Sequence, residues 1–235
     1  MNTSHCFLPP SSTLALQLLK EGNQRFVNGV RSTETHFNTE KLKELAEKGQ
    51  SPRVIVLTCA DSRVPVETIF DLGLGEVFVI RVAGNVISSD IIASVEYAAQ
   101  QFGIPLCVVM GHTECGAVQA AIHYAKSGEC TLSGFGEKLL QKILPSAKKA
   151  IQAPQKEHSL VHVTVLMNIR RNLSLLIKKS QILRNFVTQQ KFTLVGAIYD
   201  LHTGKVTFDF EHHTPSRQGA RLTFNSYTSK VVELI

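Results

Sequence analysis

Residues 54–67, VIVLTCADSRVPVE, begin with four apolar residues and then turn abruptly to a thiol, a carboxylate and a guanidinium at Cys59, Asp61 and Arg63. A continuous β-branched run predicts a strand covered on both faces, because a strand with one wet face alternates apolar and polar side chains. Three reactive groups crowded at the end of such a strand predict chemistry there.

Three more runs of the same texture follow: VFVIRV (77–82), LCVVMGH (106–112) and FTLVGAIYD (192–200). Between them, residues 89–102 space Ile91, Ile92, Val95, Tyr97, Ala98 and Phe102 as a helix does. Strands alternating with helical segments predict an α/β fold, with a mainly parallel central sheet flanked by helices. The stretch YDLHTGKVTFDF (199–210) adds a Thr-Gly turn and one further strand, an edge hairpin near the C-terminus. Upstream, residues 13–28 carry Leu14, Leu18, Leu19 and Phe26 on an amphipathic pattern behind a Ser/Thr cap, and 39–48 read as a second, polar helix ended by Gly49 and Pro52. The chain thus divides into an N-terminal helical arm (1–50), an α/β domain (51–210) and a C-terminal extension (211–235) to which the pattern assigns no structure.

Composition narrows the function classes. With 43% hydrophobic and 19% charged residues, the 235-residue chain can bury a sizeable core. No uninterrupted apolar run reaches the roughly 20 residues of a membrane span, and the N-terminus lacks the early basic region of a signal peptide. Five cysteines at irregular spacing (Cys6, Cys59, Cys107, Cys115, Cys130) predict thiols kept for metal or chemistry in a reducing compartment, the cytoplasm. The net charge of +6 is uneven: residues 148–191 hold nine Lys or Arg against the single acid Glu157. Those charges interleave with Leu and Ile at helical spacing and without aromatic residues, so they predict a solvated helix face rather than a nucleic-acid surface.

In an open parallel sheet, function gathers beyond the carboxyl ends of the strands. Cys59 stands at that end of the first run. MGHTECGAV places His112 and Cys115 at the same end of the third. Two thiolates and an imidazole form a donor set suited to zinc, and three protein ligands leave a fourth position open for water or substrate. The competing reading makes both cysteines small core hydrophobes and His112 a satisfied polar residue. Asp61 and Arg63 beside Cys59 favour the metal.

The pair CADSR (59–63) and GHTECGA (111–117) resembles the β-class carbonic anhydrases. The likeness extends to LKEGNQRFVNG (19–29), GEVFVIRVAGNV (75–86), SVEYAAQ (94–100) and VGAIYDLHTGKV (195–206). This resemblance implies a zinc lyase that hydrates carbon dioxide reversibly to bicarbonate and a proton. Cys59, His112 and Cys115 would hold Zn²⁺, and Asp61 would accept a hydrogen bond from the hydroxide on it and aim that oxygen at carbon dioxide. Arg63 would keep Asp61 ionised and oriented. In some members the aspartate leaves its arginine and takes the fourth zinc position, closing the site. Members switched in this way by bicarbonate tend to carry a Trp near the zinc strand. This chain has Val56 three residues before Cys59 and no Trp, so the expectation is an open site with Asp61 on Arg63.

The resemblance also implies substrate contacts. Gln50 matches an amide donor contributed across a dimer interface, and Phe78, Ala83 and Tyr97 match residues that wall the pocket. Gly116 would offer a backbone N–H nearby. A homodimer, or a tetramer built of dimers, follows if Gln50 serves a neighbouring subunit, with the arm packing on the partner. Neither a nucleic acid nor a membrane is expected as a partner. For proton export, His36, His123, His202, His212 and His213 are present, and their spacing selects none. Two other readings share the fold: hydrolysis of carbonyl sulfide or carbon disulfide, and a non-catalytic module binding zinc or bicarbonate.

Overall fold

The structure is a computed structural model that describes residues 10–30, 38–153, 159–212 and 222–224. Four strands lie where the apolar runs predict: β1 (Val54–Thr58), β2 (Val77–Arg81), β3 (Leu106–His112) and β4 (Thr193–Tyr199). β5 (Val206–His212) and the short β6 (Leu222–Phe224) complete a six-stranded sheet in the order β2-β1-β3-β4-β5-β6. The pairings β1–β2, β1–β3 and β3–β4 are parallel; β4–β5 and β5–β6 are antiparallel. The hairpin therefore adds β5 beside β4 as expected, and β6, from the extension without a predicted structure, lies outside it. Three residues are too few to display an alternating pattern.

Both faces of the sheet are covered, which is why its strands read as unbroken apolar runs. Val54 and Val56 of β1 face one side with Leu106, Val108 and Met110 of β3. There they meet α1 (Pro10–Val27) and α3 (Val66–Ile69) through Ala15, Leu16, Leu19, Val66 and Ile69. Ile55 and Leu57 face the other side with Cys107 and Val109. That side is packed by α4 (Ser89–Gln101), α5 (Gly116–Ser127), α6 (Phe135–Gln152), α7 (Leu160–Lys179) and α8 (Gln181–Thr188).

The helices match the predicted positions. The stripe of α1 that meets the sheet is Ala15, Leu16 and Leu19, and Leu14 is 72% exposed on the far side. Leu14 and Leu18 are one turn apart, but the inner face is centred two positions later, so Leu18 is only partly buried. α2 (Thr39–Lys48) is capped by Asn38 and buries no residue. α7 has the length and mean hydropathy of a membrane span, yet 61% of its apolar window is buried inside the fold. Its amides and arginines interrupt the run, and it serves as the central core helix. The basic residues of α6–α8 lie outside the core. Arg184 donates to the Ile177 and Lys178 carbonyls at the end of α7, where a helix accepts positive charge.

The connections position the site. From β1 the chain passes by α3 on one face to β2, and from β2 by α4 on the opposite face to β3, which lies on the other side of β1. The strand order reverses between β1 and β3, and a crevice opens beyond carboxyl ends at such a switch point.

α1 is anchored to this body at Gly22. A Cβ there would come within 1.8 Å of the Phe70 carbonyl oxygen. In a free helix, Gly→Ala gains about 1 kcal/mol. Here the contact is with backbone, which cannot step aside, and overpacking costs about 1–3 kcal/mol. Gly22→Ala should therefore lower the urea midpoint; an increased midpoint would mean that α1 is not held by this contact.

Candidate metal centre

Cys59 follows β1 by one residue and points to the helical side, where it is buried. His112 ends β3, the adjacent strand, and is fully buried. The chain then turns through Glu114, at φ +54°, to Cys115, the N-cap of α5. A helix N-terminus favours an anion, and so a thiolate, at that position. The three ligand atoms lie within 4.8 Å of one another. Parallel pairing of β1 with β3, Thr58 opposite Met110, brings the two strand ends level.

Hydrogen bonding orients the imidazole. His112 Nδ1 lies 2.8 Å from the Thr113 carbonyl oxygen, which can only accept, so Nδ1 carries the proton. Nε2 is left with its lone pair, buried and without a hydrogen-bond partner. A buried nitrogen left this way is costly unless a cation occupies the space it faces. The residues therefore fit a metal ion, and the sulfur–nitrogen donor set fits zinc among the common ones.

The two sulfurs are unequal. The Cys115 thiol, together with the Gly84 N–H at 3.3 Å, holds Cys59 far below the usual thiol range against the effect of burial. Cys115 is pushed upward, first by its bond to Cys59 and then by burial. A dication between them would favour both as thiolates.

Asp61 sits above the triangle. Its Oδ1 accepts from Arg63 Nε at 2.9 Å and from the Arg63 backbone N–H at 3.0 Å, and its Oδ2 accepts from Arg63 Nη2 at 2.8 Å. The same Oδ2 is 3.9 Å from His112 Nε2. Arg63 also donates to the Glu114 carbonyl, tying the loop after β1 to the turn after β3.

The other predicted residues are placed unevenly. Ala83 lies in the 3-10 turn Ala83–Asn85 whose Gly84 N–H meets Cys59, and Gly116 directly follows Cys115. Phe78 and Tyr97 stack with each other and with Phe102 at the outer strand β2, and Tyr97 is 54% exposed. Gln50 is exposed past the end of α2. His36 and His213, like Cys6, lie outside the described residues; His123 and His202 are exposed. Sequence reasoning missed Arg81, whose guanidinium donates to the Cys59 carbonyl at 3.2 Å and the Asp61 carbonyl at 2.6 Å. Its only signal was a charge at the end of an apolar strand.

A sulfur–nitrogen–sulfur triangle at the switch point of a parallel sheet defines an α/β chain with a candidate metal centre. A sequence model of the family described as carbonic anhydrase matches residues 54–206. Carbonic anhydrase 2 of Mycobacterium tuberculosis is 35% identical over 191 residues, which are 81% of this chain and 89% of that protein. The carbonic anhydrase of Mycolicibacterium smegmatis is 34% identical, covering 85% and 94%. Among solved structures, the β-carbonic anhydrase CcaA superposes with a TM-score of 0.63 at 26% identity, over 82% of this chain and 94% of that one. The chain belongs to the carbonic anhydrase family, with the fold of its β class.

The Arg63 hydrogen bonds hold the Asp61 carboxyl well below the usual carboxylate range, against partial desolvation. A depressed pKa favours the charged form, so the pair persists above the ordinary carboxylate pKa and fails only as pH falls well beneath it. At about pH 4, where an unperturbed aspartate is half protonated, Asp61 should still be ionised by carboxylate NMR. In Arg63→Gln a larger fraction should be protonated there. A wild-type Asp61 that titrates normally would show that the pair does not control it.

Proposed function

We propose that this protein is a zinc-dependent carbonic anhydrase that converts carbon dioxide and water reversibly to bicarbonate and a proton. The observation that carries the reading is the buried Nε2 of His112, without a partner among the described residues, clustered with two cysteine sulfurs and 3.9 Å from the Asp61 carboxylate. Cys59, His112 and Cys115 would hold the zinc, which when bound acidifies water and so supplies a hydroxide nucleophile near neutral pH.

The remaining work falls to the protein. Two thiolates cancel the charge of the dication, so its pull on water is weaker than in a three-histidine site. Positioning must therefore contribute more. Asp61 accepts the hydrogen bond of the nucleophile's O–H and so fixes which lone pair faces the carbon of carbon dioxide. It stays an acceptor because Arg63 keeps it ionised and locks its carboxylate plane through two parallel bonds. In this reading the site is open, with Asp61 on Arg63.

Gln50, Phe78, Ala83, Tyr97 and Gly116 would line the way to the substrate. Gln50, exposed past α2, would reach a site when a second copy supplies it. The aromatic patch at the outer strand offers such a copy an apolar landing. We therefore propose a homodimer, or a tetramer of dimers, as the working form. The free thiols suit a reducing compartment, the cytoplasm.

Zinc content and stopped-flow hydration test this together. The purified chain should carry one zinc, hydrate carbon dioxide already near neutral pH and faster as pH rises, and lose activity when the metal is chelated. Cys59→Ser should lose the metal. Asp61→Asn should keep the metal and lose roughly 10²-fold in kcat, the usual scale for a misplaced reacting group. A zinc-loaded protein that is inactive at every pH would overturn the proposal, and hydrolysis of carbonyl sulfide by that protein would replace the substrate.

A further inference from the structure

Helix α7 carries two asparagines one turn apart, Asn168 and Asn172, 1% and 2% exposed. Their neighbours on the same helix, Val165, Ile169, Leu173 and Leu176, are core. A buried amide in such a place is unfavourable unless it makes hydrogen bonds. Each makes one across a long chain separation: Asn168 Nδ2 donates to the Gly84 carbonyl at 2.9 Å, and Asn172 Nδ2 to the Asn85 carbonyl at 2.9 Å. Asn168 Oδ1 has no partner among the described residues, and removing Nδ2 would leave the buried Gly84 carbonyl without its donor.

That partner is the 3-10 turn Ala83–Asn85, whose backbone is under strain. Gly84 and Asn85 have successive positive φ angles, +63° and +43°. Such a conformation persists only where the surroundings impose it. α6 presses on the same turn, for a Cβ on Gly84 would stand 2.5 Å from Ile143 Cδ1. The result of this confinement is a single directed group: the Gly84 N–H, 3.3 Å from Cys59 Sγ.

We propose that Asn168 and Asn172 are positioning residues that clamp the Ala83–Asn85 turn so that the Gly84 N–H donates to the Cys59 sulfur and tempers its donation to the metal. This rests on the reading that Cys59 is a zinc ligand. A hydrogen bond to a thiolate withdraws electron density from it, and groups behind first ligands tune affinity and electronics in this way. In a site whose two thiolates neutralise the ion, such withdrawal restores some of its pull on water.

The test uses the full chain loaded with Co²⁺, whose thiolate-to-metal charge-transfer band reports sulfur donation, and zinc affinity from competition with a chelator. Asn168→Leu and Asn172→Leu remove the donors at nearly constant volume, with Asn168→Ser and Asn172→Ser replacing either one that fails to fold. Leu173→Ala, buried on the same helix, is the control for general destabilisation. We expect the asparagine variants to move the band to longer wavelength and to shift zinc affinity with it, with Leu173→Ala changing neither. Variants with unchanged band and affinity would overturn the clamp while leaving the zinc reading intact. So would a control that moves both equally. Wild-type protein with no thiolate–cobalt band would overturn the zinc reading, and the clamp with it.

Discussion

Parallel pairing of β1 with β3 is the constraint on which the rest depends. The two strands carry the chain in opposite directions around the sheet, β1 outward through α3 to β2, and β3 inward toward β4. Crossover segments on opposite faces leave an uncovered crevice at their carboxyl ends. Cys59 and His112 sit at that crevice because register places Thr58 opposite Met110, one residue before Cys59 and two before His112. Slipping the register by one residue would turn either side chain to the other face. The both-face burial of β1 and β3 forbids such a slip, since every residue in them is core.

Around this junction the polar groups are tied in sequence. Arg63 binds the Asp61 carboxylate and the Glu114 carbonyl; Arg81 binds the Cys59 and Asp61 carbonyls; the Thr113 carbonyl orients His112. Loops leaving three strands are thus cross-linked to one another within a few ångströms of the sulfurs. Rigid placement of this kind suits the proposed substrate, because carbon dioxide offers an enzyme little to grip and a nucleophile would have to be aimed instead.

Much of this was legible in the sequence because periodicity and donor chemistry are local properties. The continuous runs at 54–57, 106–110 and 193–198 could only be doubly covered strands, and a Cys/His/Cys set at two strand ends could be read before any coordinates. Which face of α1 meets the sheet was not legible, because Leu14, Leu18 and Leu19 satisfy the helical period as well as Leu16 and Leu19 do; only the sheet it meets distinguishes them. Arg81 and the Gly84 N–H stayed hidden for a different reason. One is an ordinary charge closing a strand, the other a backbone group with no letter of its own. Asn168 and Asn172 carry no sequence signal that separates a buried amide from an exposed one; only the packing of α7 reveals them as buried. β6 was too short to register as a pattern.

The contacts between α7 and the Ala83–Asn85 turn span 84 and 87 residues of chain. Contacts so distant in sequence form late in folding, because the intervening loop must be closed before anything is gained. The local helices and the β1–β2 unit can assemble early, but the turn that addresses Cys59 cannot be set until α7 docks. The proposed metal would therefore find its final geometry only once α7 has docked, and a tightly bound ion would report that the domain is closed.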